Sequence, residues 1–459
     1  MTRRRLAVLS LVPILLATGC AGLGGKDSGS GDSSGSSGSS TWSGKPSGKL
    51  NIMGFGGEDE VAQARVSAFE KAYPDVSVTH NKGDFDAQQF LTALASGNPP
   101  DLVYIDRNLI GTYAAKGALQ PLSDCVSGQQ VDLGQYRPAA MGSVTYKDKP
   151  YGIPEFYIVS VDLVDAKTVK AAGLSVDDIQ THDWNALKAT SKKLYEGSGS
   201  KIKRIGYDPK LPDSFPLWAT INDAEIVKAD GSPNLNDPKA VEALDFALGL
   251  VKEQGGWSNF KAFRDSYDIF GEKNPLTVGS IAAFPMENWY VNVLRDSRKA
   301  GLQLGAAQIT SRDGKPVSTL GGQAWAIPKG AKNPKAACAW AKTMTATDTW
   351  MKAAEARMAK VKADGSFFTG LFTANKQADD QIREKYLTKA PDAGFEQAIQ
   401  AFYATLDTAK ALNPSPAGAE IDAAWKSGVA RALGGQSAKA ALDQAQKEAQ
   451  AAYSKVSGG

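Results

Sequence analysis

Histidine and cysteine are scarce in this sequence, and their scarcity excludes several kinds of site. The 459 residues include two histidines, His80 and His182, and three cysteines. There is no Cys/His cluster with the spacing of metal ligands. There is no His-Glu-x-x-His helix, and no Gly-x-Ser-x-Gly elbow between a strand and a helix. The sequence therefore predicts neither a metal site nor a nucleophilic catalytic motif, and we expect no cofactor.

The N-terminus has the features of an export signal. Residues 3–5 are arginines, Leu6–Ala17 is an apolar run too short to span a bilayer, and Ala17–Cys20 is a small-residue cleavage site. A cysteine at this position resembles the lipobox of bacterial lipoproteins. The resemblance implies a signal peptide at residues 1–19 and a lipid such as palmitate on Cys20, anchoring the chain to the extracellular face of the cell membrane. An ordinary secretion signal with an incidental Cys20 is the alternative.

Residues 20–48 are interpreted as a lipidated cysteine followed by a flexible tether rich in glycine and serine. A coil of roughly 28 residues spans about 30 Å root-mean-square. Without the leader, the 52 basic residues fall by three and equal the 49 acidic residues. A nearly neutral chain does not favour a nucleic-acid partner.

From Lys49 onward, apolar strands alternate with helical patterns. Leu50–Phe55 is predicted as a strand, and Ala62, Val66 and Phe69 recur at helical spacing. A second strand, a second helix and the apolar run Leu102–Ile105 follow. This alternation is typical of a parallel sheet with helices on its faces, and therefore of the α/β class.

The stretch Ser96–Asp106 (SGNPPDLVYID) is the best candidate for a strand that leads to a site. Ligands of open α/β sheets bind at the carboxyl ends of strands, where Asp106 and Arg107 follow this strand. Asp106 either contacts a ligand or caps the next helix, and both remain open. In the Gly-rich loop after the first strand, the glycines are interpreted as permitting close backbone approach to a ligand, with Phe55 offering a ring face.

Aromatic rings that follow strands or begin helices could present a face to the apolar side of a ligand. Trp218, Trp289 and Trp325 have such positions, with core packing as the alternative for each, whereas Trp184, Trp340 and Trp425 are interpreted as core. Glu287 and Asn288, in an otherwise apolar run, are the best polar candidates. The acidic pair Asp59 and Glu60, at a helix start, is interpreted as solvated charge.

Motifs along the chain together resemble extracellular solute-binding proteins of carbohydrate ABC importers, of the maltose-binding-protein type. They follow one another in the family's order, and the segment 360–376 replaces one that often faces the cleft. The motifs are Leu50–Glu58, Phe69–Val78, Ser96–Asp106, Lys116–Leu122, Tyr151–Pro154, Ala172–Leu174, Asp183–Trp184, Val278–Trp289, Gly321–Pro328, Lys332–Ala337 and Ser437–Gln446.

The resemblance implies two α/β lobes, each a central sheet flanked by helices, joined by hinge strands with the ligand between them. We expect residues 49–155 and about 277–321 to form the first lobe. Residues 156–276 and about 322–459 would form the second. Candidate ligand contacts from the first loop and the two crossings complete the predicted site: Glu58, Glu155, Tyr157 and Gln323.

The same layout places Cys125 in the first lobe and Cys338 in the second. Because a bridge between lobes would oppose hinge motion, we expect two unpaired thiols.

The predicted function is that of a lipid-anchored receptor that captures a sugar or oligosaccharide and delivers it to the permease of an ABC importer. A monomer without enzymatic activity is expected. A polyamine or peptide could be the solute instead. A cell-surface glycosidase would require two facing carboxylates such as Glu155 and Glu287.

Overall fold

The computed structural model describes residues 42–81 and 83–457. The predicted leader, Cys20 and most of the predicted tether lie outside these described residues. Within them, no helix is both long enough and apolar enough to cross a bilayer.

Fourteen strands and seventeen α-helices alternate along the described residues, with short 3-10 turns at Arg107–Leu109, Leu133–Gln135, Val176–Asp178 and Arg295–Arg298. The strands are β1 (Gly48–Met53), β2 (Val76–Asn81), β3 (Leu102–Asp106), β4 (Thr145–Tyr146), β5 (Lys149–Pro150), β6 (Ile153–Pro154), β7 (Ser160–Asp165), β8 (Glu196–Ser198), β9 (Lys201–Tyr207), β10 (Ile281–Glu287), β11 (Leu304–Ala307), β12 (Ser318–Thr319), β13 (Gln323–Ala326) and β14 (Ala409–Lys410). The helices are α1 (Glu60–Ala72), α2 (Ala87–Ala95), α3 (Ile110–Ala115), α4 (Ser123–Gly128), α5 (Pro138–Ser143), α6 (Ala166–Ala171), α7 (Trp184–Leu194), α8 (Leu211–Ile221), α9 (Pro238–Glu253), α10 (Gly256–Arg264), α11 (Tyr290–Leu294), α12 (Pro334–Thr345), α13 (Thr347–Ala363), α14 (Lys376–Tyr386), α15 (Ala393–Thr405), α16 (Gly418–Leu433) and α17 (Ala438–Ser457).

The first sheet confirms the predicted α/β start of the fold. Its order is β2-β1-β3-β13-β6, and β1 pairs in parallel with both β2 and β3. Leu50 and Ile52 pack in one hydrophobic cluster, while Met53, Val103 and Ile105 pack in another. Since successive side chains of a strand point to opposite faces, both faces of the sheet are buried, as the unbroken apolar run Leu102–Ile105 predicts.

The second sheet has the order β11-β7-β10-β9-β8. Its centre is β10, which pairs antiparallel with β7 and parallel with β9. We use "first lobe" for the first sheet with the helices that pack on it (α1, α2, α12 and α13). "Second lobe" denotes the second sheet with α8, α9, α15, α16 and α17.

Two parts of the predicted lobe assignment are wrong. Strands β10 and β11, within residues 277–321, belong to the second sheet rather than the first. Conversely, β13 joins the first sheet, and α12 and α13 pack on β1 and α1, whereas the prediction assigns residues 322–459 to the second lobe. An apolar run reveals that a strand is buried but does not identify its partner strand.

The chain passes between the lobes three times. Two of these passages, residues 155–159 and 320–322, run antiparallel beside each other, and we call them the crossings; the third lies between α13 of the first lobe and α15 of the second. Ile158 and Gly321 exchange backbone hydrogen bonds at 3.0 and 2.9 Å. At Gly322, with φ +125°, a Cβ would lie 2.2 Å from the carbonyl oxygen of Phe156. Only glycine permits this approach of the two crossings.

Cys125 and Cys338 form a disulfide with a Cα–Cα distance of 5.8 Å, so the expectation of two free thiols is wrong. The error follows from the lobe assignment. Cys125 lies on α4 and Cys338 on α12, and these helices pack against each other beside the first sheet. The bond therefore links two segments of one lobe and leaves hinge motion free.

The folded body begins before the predicted boundary at Lys49. Trp42 is buried, and its carbonyl accepts a hydrogen bond from Gln129 Nε2. A Cβ at Gly128 would lie 2.7 Å from Trp42 Cβ, so the tryptophan packs directly on the end of α4. Burial of this ring fixes Trp42, which lies within the predicted tether, to the first lobe.

Candidate ligand-binding site

Two cavities open beside the crossings and share Ile158 and Gln323 in their linings. The "polar chamber" has a volume of about 400 Å³ and is lined by Asp106, Arg107, Asp213, Glu287, Gln323 and Trp425, among others. The "aromatic chamber" has a volume of about 330 Å³ and is lined by Asp59, Phe156, Trp289, Asn292, Arg357 and Phe372, among others. Both chambers draw residues from both lobes, which is the arrangement a cleft between lobes requires.

In the polar chamber, the carboxyl ends of two central strands bring acidic groups to the cleft. Asp106 ends β3, and Glu287 ends β10. Asp106 makes no side-chain cap to the following turn, and its Oδ1 instead accepts a hydrogen bond of 3.0 Å from Gln323 Nε2. Lys210 Nζ lies 3.6 Å from Glu287 Oε2. Of the two roles left open for Asp106, helix capping is therefore excluded, while ligand contact stays a prediction.

Arg107 is buried and chiefly holds the second crossing. Its Nε donates to the carbonyl of Gly322 at 3.2 Å, and its Nη2 donates to the carbonyl of Gly321. Its Nη1 has no hydrogen-bond partner among the described residues. Burial lowers the pKa of Arg107 to about 10, opposed chiefly by Tyr157 and Tyr104, so the guanidinium remains charged at neutral pH. One nitrogen of this fixed cation is thus buried without a hydrogen-bond partner within the described residues, in a residue that lines the polar chamber.

In the aromatic chamber, one arginine connects the two lobes. Arg357 of α13 pairs with Asp59 at 3.3 Å and with Glu60, and its Nη1 donates to Asn292 Oδ1 at 3.2 Å. Asn292 belongs to α11, which follows β10 of the second lobe. The prediction that Asp59 and Glu60 are merely solvated is wrong, because Asp59 caps α1 and both pair with Arg357.

Trp289 lies at the start of α11 and lines the aromatic chamber. It is 39% exposed, which excludes the alternative that it is a core residue. Its neighbour Asn288 is buried and donates a hydrogen bond of 2.8 Å to the carbonyl of Tyr157. The junction between β10 and α11 is thereby fixed to the first crossing while the indole remains accessible.

Glu155 does not face the cleft, contrary to prediction. Its carboxylate is completely buried, pairs with Arg65 at 2.7 Å, and accepts hydrogen bonds from Tyr104 at 3.2 Å and from Trp325 Nε1. Because this group is enclosed in the first lobe, it cannot act opposite Glu287 in the way a glycosidase would require.

Phe55 and Trp325 also belong to the core of the first lobe, contrary to prediction. Their ring centroids are 5.1 Å apart, and both rings are buried. The flexible glycine of the preceding turn serves packing: at Gly54, with φ +86°, a Cβ would lie 2.5 Å from the carbonyl oxygen of Tyr104. The close approach permitted by glycine is therefore to a neighbouring strand.

Two more predicted contacts are buried, and a third lies beside the site. Trp218 is enclosed in the second lobe and donates its indole N–H to the carbonyl of Pro209 at 2.8 Å. Tyr157 is buried, with the Arg107 guanidinium 5.6 Å from its ring centroid. Glu58 is exposed in the loop before α1, where its neighbour Asp59 is the residue that lines the aromatic chamber.

Several residues that line the chambers are not among the predicted ligand contacts. Trp425 is buried as expected for a helical tryptophan, yet it also lines the polar chamber. Asp213 precedes a kink at Ser214 in α8 and reaches the same chamber. Residues 369–372 line the aromatic chamber, and the altered segment 360–376 was the one available signal for them. In the described part of the chain, no group of three His, Cys, Asp or Glu side chains is placed to hold a metal ion.

Residues 64–359 match the model of the family described as bacterial extracellular solute-binding protein. The chain belongs to this family, and the predicted two-lobed α/β fold is confirmed by a solved relative. That structure, titled "CpMnBP1 with Mannotriose Bound", is 22% identical with a TM-score of 0.69, and the match covers 87% of this chain and 99% of that one.

Two curated relatives match more than half of the chain. An ABC transporter-binding protein of Deinococcus radiodurans is 27% identical over 54% of this chain and 59% of its own length. The arabinooligosaccharide-binding protein of Bacillus subtilis is 21% identical over 58% of this chain and 62% of its own length. The chain thus spans about three fifths of the curated relatives it matches.

Proposed function

We propose that this protein binds a sugar or oligosaccharide between its lobes and delivers it to the permease of an ABC importer. The observation that supports this most is an accessible tryptophan, Trp289, in a cleft that also contains carboxylate, amide and guanidinium groups. An aromatic ring matches the apolar face of a pyranose, and planar polar groups match its hydroxyls. The solved relative with mannotriose and the arabinooligosaccharide-binding relative support a saccharide.

The charges of the polar chamber favour a neutral solute over a polyamine. Four carboxylates line it: Asp106, Asp213, Glu287 and Asp422. Three of the four have a basic side chain within 4 Å: Arg264 lies 3.9 Å from Asp213, Lys210 lies 3.6 Å from Glu287, and Lys426 lies 2.6 Å from Asp422. Most of the negative charge that could attract a polyamine is therefore already neutralised by these basic side chains.

Capture would proceed by closure of the lobes. A ligand that contacts both lobes stabilises the closed state, which the permease then recognises. Arg357 and Asn292 already connect the lobes across the aromatic chamber, and Lys116 pairs with Glu420 at 2.9 Å between α3 and α16. The buried position of Glu155 supports binding without catalysis, so we expect no turnover of aryl glycosides.

A thermal-shift panel tests the proposal. Manno-, arabino- and malto-oligosaccharides and spermidine are compared, since a ligand at 100 times its Kd adds about 2.7 kcal/mol to the free energy of unfolding. Trp289→Ala should weaken binding of the active sugar about 5- to 150-fold, the loss of one buried aromatic contact. Leu91→Ala, which truncates an exposed side chain on α2, is the matched control. Stabilisation by spermidine alone would overturn the proposal.

The lipid anchor is part of the proposal. A receptor fixed at the membrane surface stays near its permease, and the segment before Trp42 would let the body reach it. Cys20→Ala should release the protein into the medium or leave the precursor uncleaved. Mature variant protein retained in the membrane fraction would contradict anchoring through Cys20.

A further inference from the structure

Phe270 and Trp289 are the exposed Phe and Trp side chains of residues 42–81 and 83–457, and they lie against each other. Phe270 is 68% exposed and Trp289 is 39% exposed. Their ring centroids are 5.9 Å apart, with planes inclined by 22°. At this distance and tilt, two rings are offset and overlap only near their edges. Each ring therefore keeps much of one face accessible.

The loop that carries Phe270 is held in place on both sides of the ring. Tyr290 OH donates to the carbonyl of Ile269 at 2.8 Å, and the N–H of Gly271 donates to Asp268 Oδ1 at 3.0 Å. Asn274, which is completely buried, donates to Ser297 Oγ at 2.7 Å. An exposed aromatic ring on a fixed backbone is pre-organised for a contact.

The position of the pair suggests the direction of a bound ligand. Trp289 lines the aromatic chamber, whereas Phe270 lies beyond that lining. The chamber volume of about 330 Å³ is close to the lower limit of small-molecule pockets, which range over about 300–1,000 Å³. A ligand of several sugar units would fill the chamber and continue outward over the rings.

We propose that Phe270 and Trp289 form a stepped aromatic platform that binds the sugar units of an oligosaccharide extending out of the aromatic chamber. This inference rests on the proposed saccharide binding and specifies its substrate class. Trp289 would serve short and long ligands alike, because it lines the chamber. Phe270 would serve only the units outside the chamber, and it therefore determines preference for chain length.

The test is calorimetric titration of the full chain with manno-, arabino- and malto-oligosaccharides from the disaccharide to the hexasaccharide. In the wild type, affinity should rise with length in the series that binds. Phe270→Ala should weaken binding of the longer members about 2- to 12-fold, which corresponds to the loss of one aromatic contact. The affinity for the disaccharide should not change. Phe270→Tyr should keep the rise of affinity with ligand length, and Trp289→Ala should weaken the binding of ligands of every length.

Controls separate this inference from the function on which it rests. Leu91→Ala should match the wild type at every length, and ligand-free melts of Phe270→Ala should match as well because the ring is exposed. If the wild type binds none of the saccharides, the proposed function fails and the inference with it. Equal losses at all lengths in Phe270→Ala, or no loss at any length, would overturn the platform alone. A wild-type dimer that Phe270→Ala converts to a monomer would overturn it too.

Discussion

The two sheets each bury a carboxylate, and the carboxylates differ in their partners. In the first lobe, Glu155 has the Arg65 guanidinium at 2.7 Å and two further hydrogen-bond donors. In the second lobe, Asp162 Oδ1 accepts one hydrogen bond of 2.8 Å from Tyr207, and its Oδ2 has no partner in the described part of the chain. Burial raises the pKa of both groups, and that of Asp162 reaches about 7.

The comparison shows that two equally buried carboxylates affect the stability of their lobes in different ways. The first lobe keeps a charge inside by compensating it, so its stability depends on the partner remaining in place. The second lobe keeps its acid uncompensated, so its stability depends on the protonation state of that acid. The disulfide between α4 and α12 adds a covalent constraint to the first lobe only. Three changes of decreasing expected effect test this comparison.

Arg65→Met should have the largest effect. It removes the cation from Glu155 while preserving an apolar stem, and leaving a buried charge without its partner costs about 3–5 kcal/mol. Urea denaturation at neutral pH measures the loss in the free energy of unfolding. Adding Glu155→Gln to Arg65→Met should restore part of the stability. Lys116→Met, which breaks the exposed pair with Glu420, is the control and should change stability by less than about 1 kcal/mol. If Arg65→Met and Lys116→Met lowered the free energy of unfolding equally, the stability of the first lobe would not depend on the Arg65–Glu155 ion pair.

The double variant Cys125→Ala/Cys338→Ala should come next, lowering the free energy of unfolding by about 2–4 kcal/mol. The bond joins residues 213 positions apart, and its loss frees the unfolded chain. Denaturation with and without reductant measures this, and reductant should affect the wild type but not the variant. Detection of thiols from both cysteines in denatured, non-reduced wild type would contradict the bond. Sugar affinity should be unchanged, because the bond lies within one lobe.

Asp162→Asn should have the smallest effect, visible as a change in pH dependence. The folded pKa of about 7 lies above the unfolded value of about 3.9, so the folded state binds more protons between them. This group therefore stabilises the fold fully below about pH 4, and its contribution is lost as pH rises through about 7. Between pH 5 and pH 8 the loss amounts to about 2–3 kcal/mol.

Melting temperatures at these two pH values measure the effect. The difference between them should shrink in Asp162→Asn, whereas Asp313→Asn, at an exposed acid, should retain it. An undiminished pH dependence in Asp162→Asn would show that another group is responsible, with buried Asp379 beside Arg137 as the next to examine.

Local patterns predicted the parts of the fold that depend on neighbouring residues. The unbroken apolar run Leu102–Ile105 of β3 required burial on both faces, and the apolar residues at helical spacing in α1 required a sheet to pack on. Parallel pairing of β1, β2 and β3 follows, because helices connect them. The same reasoning placed Asp106 at a strand end beside the cleft and Trp289 at the start of a helix.

The sequence alone determined the α/β class, the order of the early strands and the family motifs, since these depend on short-range periodicity and composition. Only the tertiary structure decided which sheet β10 and β13 join, because each run pairs with at least one strand more than a hundred residues away. It also decided that Glu155 and Trp325 face each other inside the first lobe while Trp289 and Phe270 face solvent. A side chain's environment depends on long-range strand pairing and register, and the sequence of a single strand specifies neither its partner nor its register.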